Sequence, residues 1–157
     1  MNEKERKRVA WNIAHIQPHL QEEVLAVCPY QHVGIGVQLA LYLTLYPAGV
    51  VKARRDKRRA GGLPANGLLA VTPTHIYPFR FKASLPPWRK VNLLAEWPRD
   101  AVQVEAPEGV MSKKVTFRFL EAGEEVQLGL GVTGQRGIGE EFLRVLLEAR
   151  PEATGSR

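Results

Sequence analysis

An uncharged segment at positions 34–51 is followed directly by a segment, 52–59, in which six of eight residues are lysine or arginine, and this junction limits the architecture more than any other feature of the chain. A segment this apolar is expected to be shielded from water. It can form a buried hairpin or core helix, lie in a contact between subunits, lie at a membrane interface, or span a bilayer. As a helix it extends about 27 Å, close to the hydrocarbon thickness of about 30 Å. Strand-like alternation is also present, at Val37, Leu39, Leu41 and Leu43. The sequence leaves these options open.

The excess of positive charge lies almost entirely at positions 52–59. The formal net charge is +6; residues 34–62 carry 6 basic groups and 1 acidic group, residues 1–33 carry 4 of each, and residues 63–157 carry 12 and 11. A nucleic-acid surface usually draws cations from several elements, so this concentration favours a local contact with anionic lipid or a protein partner. A solvated helix end or loop is the structural alternative. The predicted contact residues are Lys52, Arg54, Arg55, Lys57, Arg58 and Arg59, with a second contact at Trp88, Arg89 and Lys90.

Apolar spacing predicts an N-terminal helix. Apolar residues recur at i, i+4, i+7 and i+11 from Val9 to Leu20, which is typical of an amphipathic helix. Pro18 predicts that this helix ends near Gln17 and that a second helix starts at positions 19–23. The apolar segment 24–28, which a proline follows, fits either a buried strand or the end of that second helix.

From Leu63 onward, short segments with a period of two predict antiparallel strands. Val115, Phe117 and Phe119 are apolar, while the residues between them are polar. The pattern repeats at 125–130 after a glycine-containing turn, so positions 114–130 are predicted to form a hairpin.

A closing amphipathic helix is predicted from the spacing of apolar residues between Ile138 and Ala149. Glu140 and Glu141 are expected in its first turn, near the positive end of the helix dipole. The predicted fold is therefore α+β, with a small antiparallel sheet or partly closed barrel, an N-terminal helical arm and one C-terminal amphipathic helix. The predicted divisions are an arm and first strand at 1–33, an apolar-plus-basic insertion at 34–62, the sheet and last helix at 63–150, and a flexible tail at 151–157.

A strand–turn–strand pattern carries a family resemblance. It runs from Gly67-Leu-Leu-Ala-Val-Thr72 through a tight turn into Ile76-Tyr, and the upstream segment Leu20-Gln-Glu-Glu23-Val-Leu-Ala-Val27 precedes a first strand. In these features the chain resembles the bacterial pleckstrin-homology-like (PH-like) domains over positions 20–33 and 63–150. The resemblance implies a small barrel with a C-terminal helix, acting as a non-catalytic module that binds proteins or lipid surfaces. Positions 34–62 remain an insertion.

Catalytic, cofactor and metal patterns are weak. Cys28 is the single cysteine, so an internal disulfide is excluded, as expected for a reducing cytosol. The glycines of GLGVTG at 129–134 match a dinucleotide fingerprint, but no parallel strand follows to complete that fold. His15 and His19 have helical spacing without an evident third ligand, and Cys28 with His32 is a weak nucleophile pair. We expect no enzyme activity, no cofactor and no metal.

These observations predict a non-catalytic interaction module with 34–59 as its attachment element. It is expected at or near the cytosolic membrane surface, bound to a protein partner, to its own copy or to anionic lipid. The N-terminal mixture of acids and bases argues against a signal peptide and predicts cytoplasmic localisation with membrane association. Two alternatives are a soluble homo-oligomer with 34–51 at its interface, and a nucleic-acid-binding protein that uses 52–59.

Overall fold

The computed structural model describes residues 1–33, 46–83, 89–106, 113–131 and 135–148. In these residues eight strands form a single, open antiparallel sheet, which confirms the predicted α+β class. The strands are β1 (Ala26–Gln31), β2 (Asn66–Val71), β3 (His75–Ala83), β4 (Arg89–Leu93), β5 (Trp97–Pro98), β6 (Val102–Glu105), β7 (Lys113–Phe119) and β8 (Glu125–Leu130). Their order across the sheet is β4-β3-β2-β1-β8-β7-β6, with the short β5 paired to β3.

Three α-helices accompany the sheet in the described part of the chain. They are α1 (Glu3–Ile16), α2 (Tyr46–Arg59) and α3 (Arg136–Glu148), and short 3-10 turns lie at Gln17–His19 and Arg99–Ala101. The helix α3 begins two residues earlier than the apolar pattern predicts. Glu140 and Glu141 therefore lie beyond its first turn, so their predicted first-turn placement is wrong.

The end of α1 confirms one prediction and corrects another. The helix ends at Ile16, as Pro18 predicts, but no second helix starts at 19–23. The Gln17 side chain explains the difference, because its amide donates to the Glu22 carbonyl and accepts from the Val24 amide, each at 2.9 Å. These two bonds turn the chain directly from the helix toward β1.

Segment 24–28 leads into β1 rather than ending a helix, and the strand continues through Pro29 to Gln31. Pro29 is opposite Leu68 of β2, whereas β8 pairs with β1 only at Tyr30 and Gln31. A proline is tolerated in a strand where one side has no ladder to complete. The proline therefore does not end this strand.

The sheet buries a different helix on each face. One face packs against α3 through a core that includes Cys28, Phe117, Leu128 and Phe142. The other face packs against α1, with Ile16 fully buried among residues of β1, β2 and β3. The alternation predicted for the hairpin at 114–130 is confirmed, because Val115 and Phe117 are buried and β7 pairs with β8.

Helix α3 is held at both ends by side chains from distant parts of the chain. At its N-terminal end the Glu5 carboxylate accepts from the Gly137 amide at 3.2 Å, while also completing a capping box with Asn2. At its C-terminal end the buried Arg99 guanidinium donates to the Leu146 carbonyl at 2.7 Å and to the Thr72 carbonyl at 3.0 Å. These contacts join α1, β2 and the 3-10 turn after β5 to one helix.

The start of α3 crosses the end of β8 at a contact between two glycines. A β-carbon added to Gly139 would lie 3.0 Å from the Gly131 α-carbon. Gly131 also has a φ of 67°, in the left-handed region that favours glycine. Gly131 therefore allows the chain to reverse direction, and Gly131 and Gly139 together allow β8 and α3 to pack closely.

The open sheet curves until its two sides touch. Trp97, which pairs with β3, has its ring 5.5 Å from the ring of Phe117 and 5.2 Å from that of Phe119 on β7. No backbone pairing joins β4 to β6 in the described residues, so the contact is made by side chains. A cleft remains at this opening.

Candidate functional site

Helix α2 contains both parts of the junction found in the sequence. Its first residues are the last six of the apolar segment 34–51, and its remainder is the basic segment 52–59. The basic segment therefore forms the end of a helix, which is the position that the structural alternative gave it. Positions 34–45, including the strand-like alternation from Val37 to Leu43, lie outside the described residues.

One face of α2, the inner row, consists of Lys52, Asp56 and Ala60 just beyond the helix. Asp56 is 2% exposed and Ala60 is fully buried. The Lys52 ammonium donates to both Asp56 carboxylate oxygens, at 3.0 and 2.7 Å. Lys52 therefore neutralises a buried acid, and the other five cations of the basic segment 52–59 remain exposed.

A second face, the outer row, consists of Val51, Arg55 and Arg59 at helical spacing of four residues. Val51 is 62% exposed, which makes it the most exposed large hydrophobic side chain in the described part of the chain. The two arginines are exposed as well. This face presents an apolar residue beside two cations directly to solvent.

A third face, the groove row, consists of Arg54, Lys57 and Arg58. These side chains line a cavity of about 660 Å³ between α2 and the start of β8. In the described part of the chain none of the three forms an ion pair. The opposite side of this cavity is formed by Gly61, Gly62, Glu124, Glu125 and Val126.

An apolar cleft of about 390 Å³ adjoins the basic cavity at the opening of the sheet. Both share Gly61, Gly62, Glu124 and Val126, so they form one continuous groove. The remaining residues of the cleft are mostly apolar: Leu63, Pro64, Leu94, Ala95, Trp97, Phe119 and Ala122. Sequence reasoning missed this cleft, because its walls come from three separate parts of the chain.

The second predicted contact is only partly described. Trp88 lies outside the described residues, while Arg89 and Lys90 begin β4 and pair with Ala83 and Lys82 of β3. Their positions are thus at the start of an outer strand of the sheet. The structure does not bring them into the groove on α2.

The histidine and cysteine pairs do not assemble into chemical sites. His15 is exposed and its Nδ1 lies 2.7 Å from the Trp11 carbonyl oxygen. Cys28 is fully buried, and this burial raises the pKa of its thiol to about 12. The Cys28 thiol contacts the Pro29 carbonyl oxygen, whereas His32 bonds to the Leu63 carbonyl. In the residues that the structure describes, no group of three or more potential metal ligands is present.

A hydroxyl, an imidazole and a carboxylate meet at the β2–β3 turn, a cluster that sequence reasoning did not find. The Thr74 hydroxyl donates to the Glu22 carboxylate and lies 2.6 Å from His75 Nδ1. This hydroxyl contact lowers the pKa of Glu22. Since the Thr74 amide also donates to Glu22, the cluster ties the turn to the segment before β1.

Comparisons with known proteins do not assign a function to this chain, so its function must be argued from the site. None of the helices in the described ranges combines the length and the apolarity needed to cross a bilayer. No protein-family model matches this chain, and no curated protein matches it.

Proposed function

We propose that this protein is a non-catalytic PH-like interaction module that attaches to the cytosolic face of a membrane through anionic lipid. Helix α2 is the attachment element, and its outer row makes the first contact. The strand order β4-β3-β2-β1-β8-β7-β6, followed by a helix that packs on the sheet, supports the PH-like part of the proposal.

The observation that carries the proposal is the composition of the outer row. Val51 is exposed where a soluble helix would place a polar residue, and Arg55 and Arg59 lie on the same side. Each lysine or arginine near an anionic leaflet contributes about 1 kcal/mol, and an inserted valine adds an apolar contribution. Two or three such contacts hold a module at a surface weakly and reversibly.

Lys52 has a different role in this proposal from the other cations of its segment. Its ammonium lies against the buried carboxylate of Asp56 one turn further along the same helix, so its charge neutralises an acid of the inner row and is not free for a ligand. The attachment therefore rests on the outer row, with Arg55 and Arg59 as its cations. Holding these cations on a helix favours binding, because a preformed surface loses less conformational entropy when a ligand binds.

Vesicle sedimentation tests the proposal. We expect the full chain to pellet with vesicles of phosphatidylserine and phosphatidylcholine, but not with phosphatidylcholine alone. The variant Arg55→Gln/Arg59→Gln should bind about thirtyfold more weakly, since two contacts of about 1 kcal/mol each are lost.

The matched control is Arg6→Gln/Arg8→Gln, which removes two exposed arginines from α1 and changes the net charge equally. Equal weakening by both variants would indicate a general charge effect and refute the role of α2. Retention on duplex DNA with a steep salt dependence, together with indifference to vesicles, would favour the nucleic-acid alternative. A concentration-dependent size without either interaction would favour the oligomer.

A further inference from the structure

The groove beside α2 has a basic part and an apolar part that are continuous. We propose that it binds an acidic segment of a partner protein, with a large apolar side chain of that segment inserted in the cleft at the sheet opening. This inference concerns a protein ligand and goes beyond the proposed lipid attachment. It does not depend on that attachment.

The apolar part has the features of an anchor pocket. Its volume of about 390 Å³ is in the range of small-ligand pockets, and Trp97 with Phe119 supplies aromatic walls. Leu94 is 38% exposed at this cleft, so apolar surface is presented to solvent before any ligand binds. Interfaces draw most of their affinity from such aromatic-walled pockets.

The basic part determines the charge of the ligand. Arg54, Lys57 and Arg58 face the cavity from one side of α2, and their spacing of three and four residues places them on a common face. Opposite charge on a bound segment would pair with them. Arginine forms two parallel hydrogen bonds with a carboxylate, so acidic side chains fit this wall well.

Two acids on the opposite wall favour a peptide over a lipid headgroup. Glu124 and Glu125 also line the basic cavity, and Arg118 holds the Glu125 carboxylate at 2.9 Å. Carboxylates repel phosphates and acidic side chains alike but accept hydrogen bonds from peptide amides, so the acidic side chains of the segment lie against α2 and its backbone amides against Glu124 and Glu125. A segment that presents acidic side chains to one wall and backbone amide donors to the other matches both walls.

The geometry of α2 separates the two proposed activities. The outer row does not line the groove, since neither Arg55 nor Arg59 is among the residues of its walls. A lipid surface on one side and a peptide on the other can therefore bind the same helix. This separation allows each activity to be removed without the other.

Selection from a displayed library of random twelve-residue peptides on the immobilised full chain tests the proposal. We expect enriched peptides to carry several acidic residues near one large apolar residue. A labelled copy of the best peptide, measured by fluorescence polarisation, should bind about thirtyfold more weakly to Arg54→Gln/Arg58→Gln. The matched Arg55→Gln/Arg59→Gln variant should retain full peptide affinity, whatever its vesicle binding.

The apolar anchor has its own matched pair. Leu94→Asp places a charge in the cleft and should weaken peptide binding at least about tenfold. Leu93→Asp alters the neighbouring residue, which is 39% exposed and does not line the cleft, and should have little effect. The proposal is overturned if no peptide is enriched, if the enriched peptides lack acidic residues, or if both members of either pair bind alike. It is also overturned if phosphatidylserine vesicles bind through the groove row instead, shown by loss of pelleting in Arg54→Gln/Arg58→Gln.

Discussion

Helices α2 and α3 both have arginines near their C-terminal ends, but the two ends differ in burial. At α3 the cation comes from outside the helix, since Arg99 is 5% exposed and donates to the Leu146 and Thr72 carbonyls. At α2 the cations belong to the last turn itself, and Lys57, Arg58 and Arg59 remain in solvent. Both arrangements suit a helix dipole, yet only the first removes the charge from water.

The difference teaches where a positive charge contributes to the fold and where it is available for binding. A buried guanidinium has lost its hydration, so each of its donors needs a fixed acceptor nearby. Removing it leaves buried carbonyls without donors. An exposed cation has water as an alternative partner, and its removal changes the folding free energy little.

Replacing Arg99 gives the largest expected effect. Arg99→Ala should lower the free energy of unfolding by about 3 kcal/mol, because the buried carbonyls of Thr72 and Leu146 lose a charged donor. Urea unfolding followed by circular dichroism measures this change, and Arg99→Lys should lose less because its charge is kept. A loss below about 0.5 kcal/mol for Arg99→Ala would contradict the contrast with α2.

Packing at the other end of α3 provides the next test. Gly139→Ala should destabilise the protein by about 2 kcal/mol, since the new β-carbon would lie 3.0 Å from the Gly131 α-carbon. The same measurement applies. Stabilisation of about 1 kcal/mol, the usual gain when alanine replaces glycine in a helix, would mean that the end of β8 shifts to accept the new methyl group and that this contact is not rigid.

Alkaline pH tests the core beneath α3. Burial raises the pKa of the Cys28 thiol from an ordinary value of 9.0 to about 12, so the folded state favours the protonated thiol. Its contribution to stability is complete below pH 9 and declines above it, by about 1.4 kcal/mol for each pH unit. Urea midpoints at pH 8 and pH 10 should therefore differ.

The Cys28→Ala variant is the control for that experiment. Its own stability is lower, but the part of the decline that comes from the thiol should be absent. The Tyr30 and Tyr77 phenols, whose pKa values are also raised by burial, titrate in the same direction and contribute to the remaining slope. Identical pH dependence in both proteins would show that the thiol is not buried as described.

Helix α2 should give the smallest effect on stability. The Arg55→Gln/Arg59→Gln variant is expected to unfold within about 0.5 kcal/mol of the natural chain, because both side chains are exposed. A larger loss would mean that the outer row belongs to the structure. The same variant would then be unsuitable as a test of membrane attachment.

Much of the fold could be predicted from local patterns. Period-two alternation identified the β7–β8 hairpin, and Pro18 located the end of α1, because each signal depends only on nearby residues. Failures came from longer-range contacts. The Gln17 side chain replaced a second helix with a turn, and the missing neighbour on one side of β1 allowed Pro29 within the strand.

The candidate site was predictable only in its charges. The concentration of cations at 52–59 marked α2, and helical spacing pairs Lys52 with Asp56, but the burial of Asp56 could not be read from the sequence. The three rows of the helix became distinct only when one face packed against the domain. Arg99 likewise resembles an ordinary surface residue beside Asp100 in the sequence.

By itself the sequence determined the class of the fold, the period of its elements and the place of its excess charge. Those properties depend on residue type and on separations of a few positions. The tertiary structure decided which charges are buried, which residues form the groove, and how the two ends of α3 are held. These depend on contacts between residues that are far apart in the sequence. The Glu5 carboxylate and the Gly137 amide, for example, meet only because α1 and α3 pack on the same sheet.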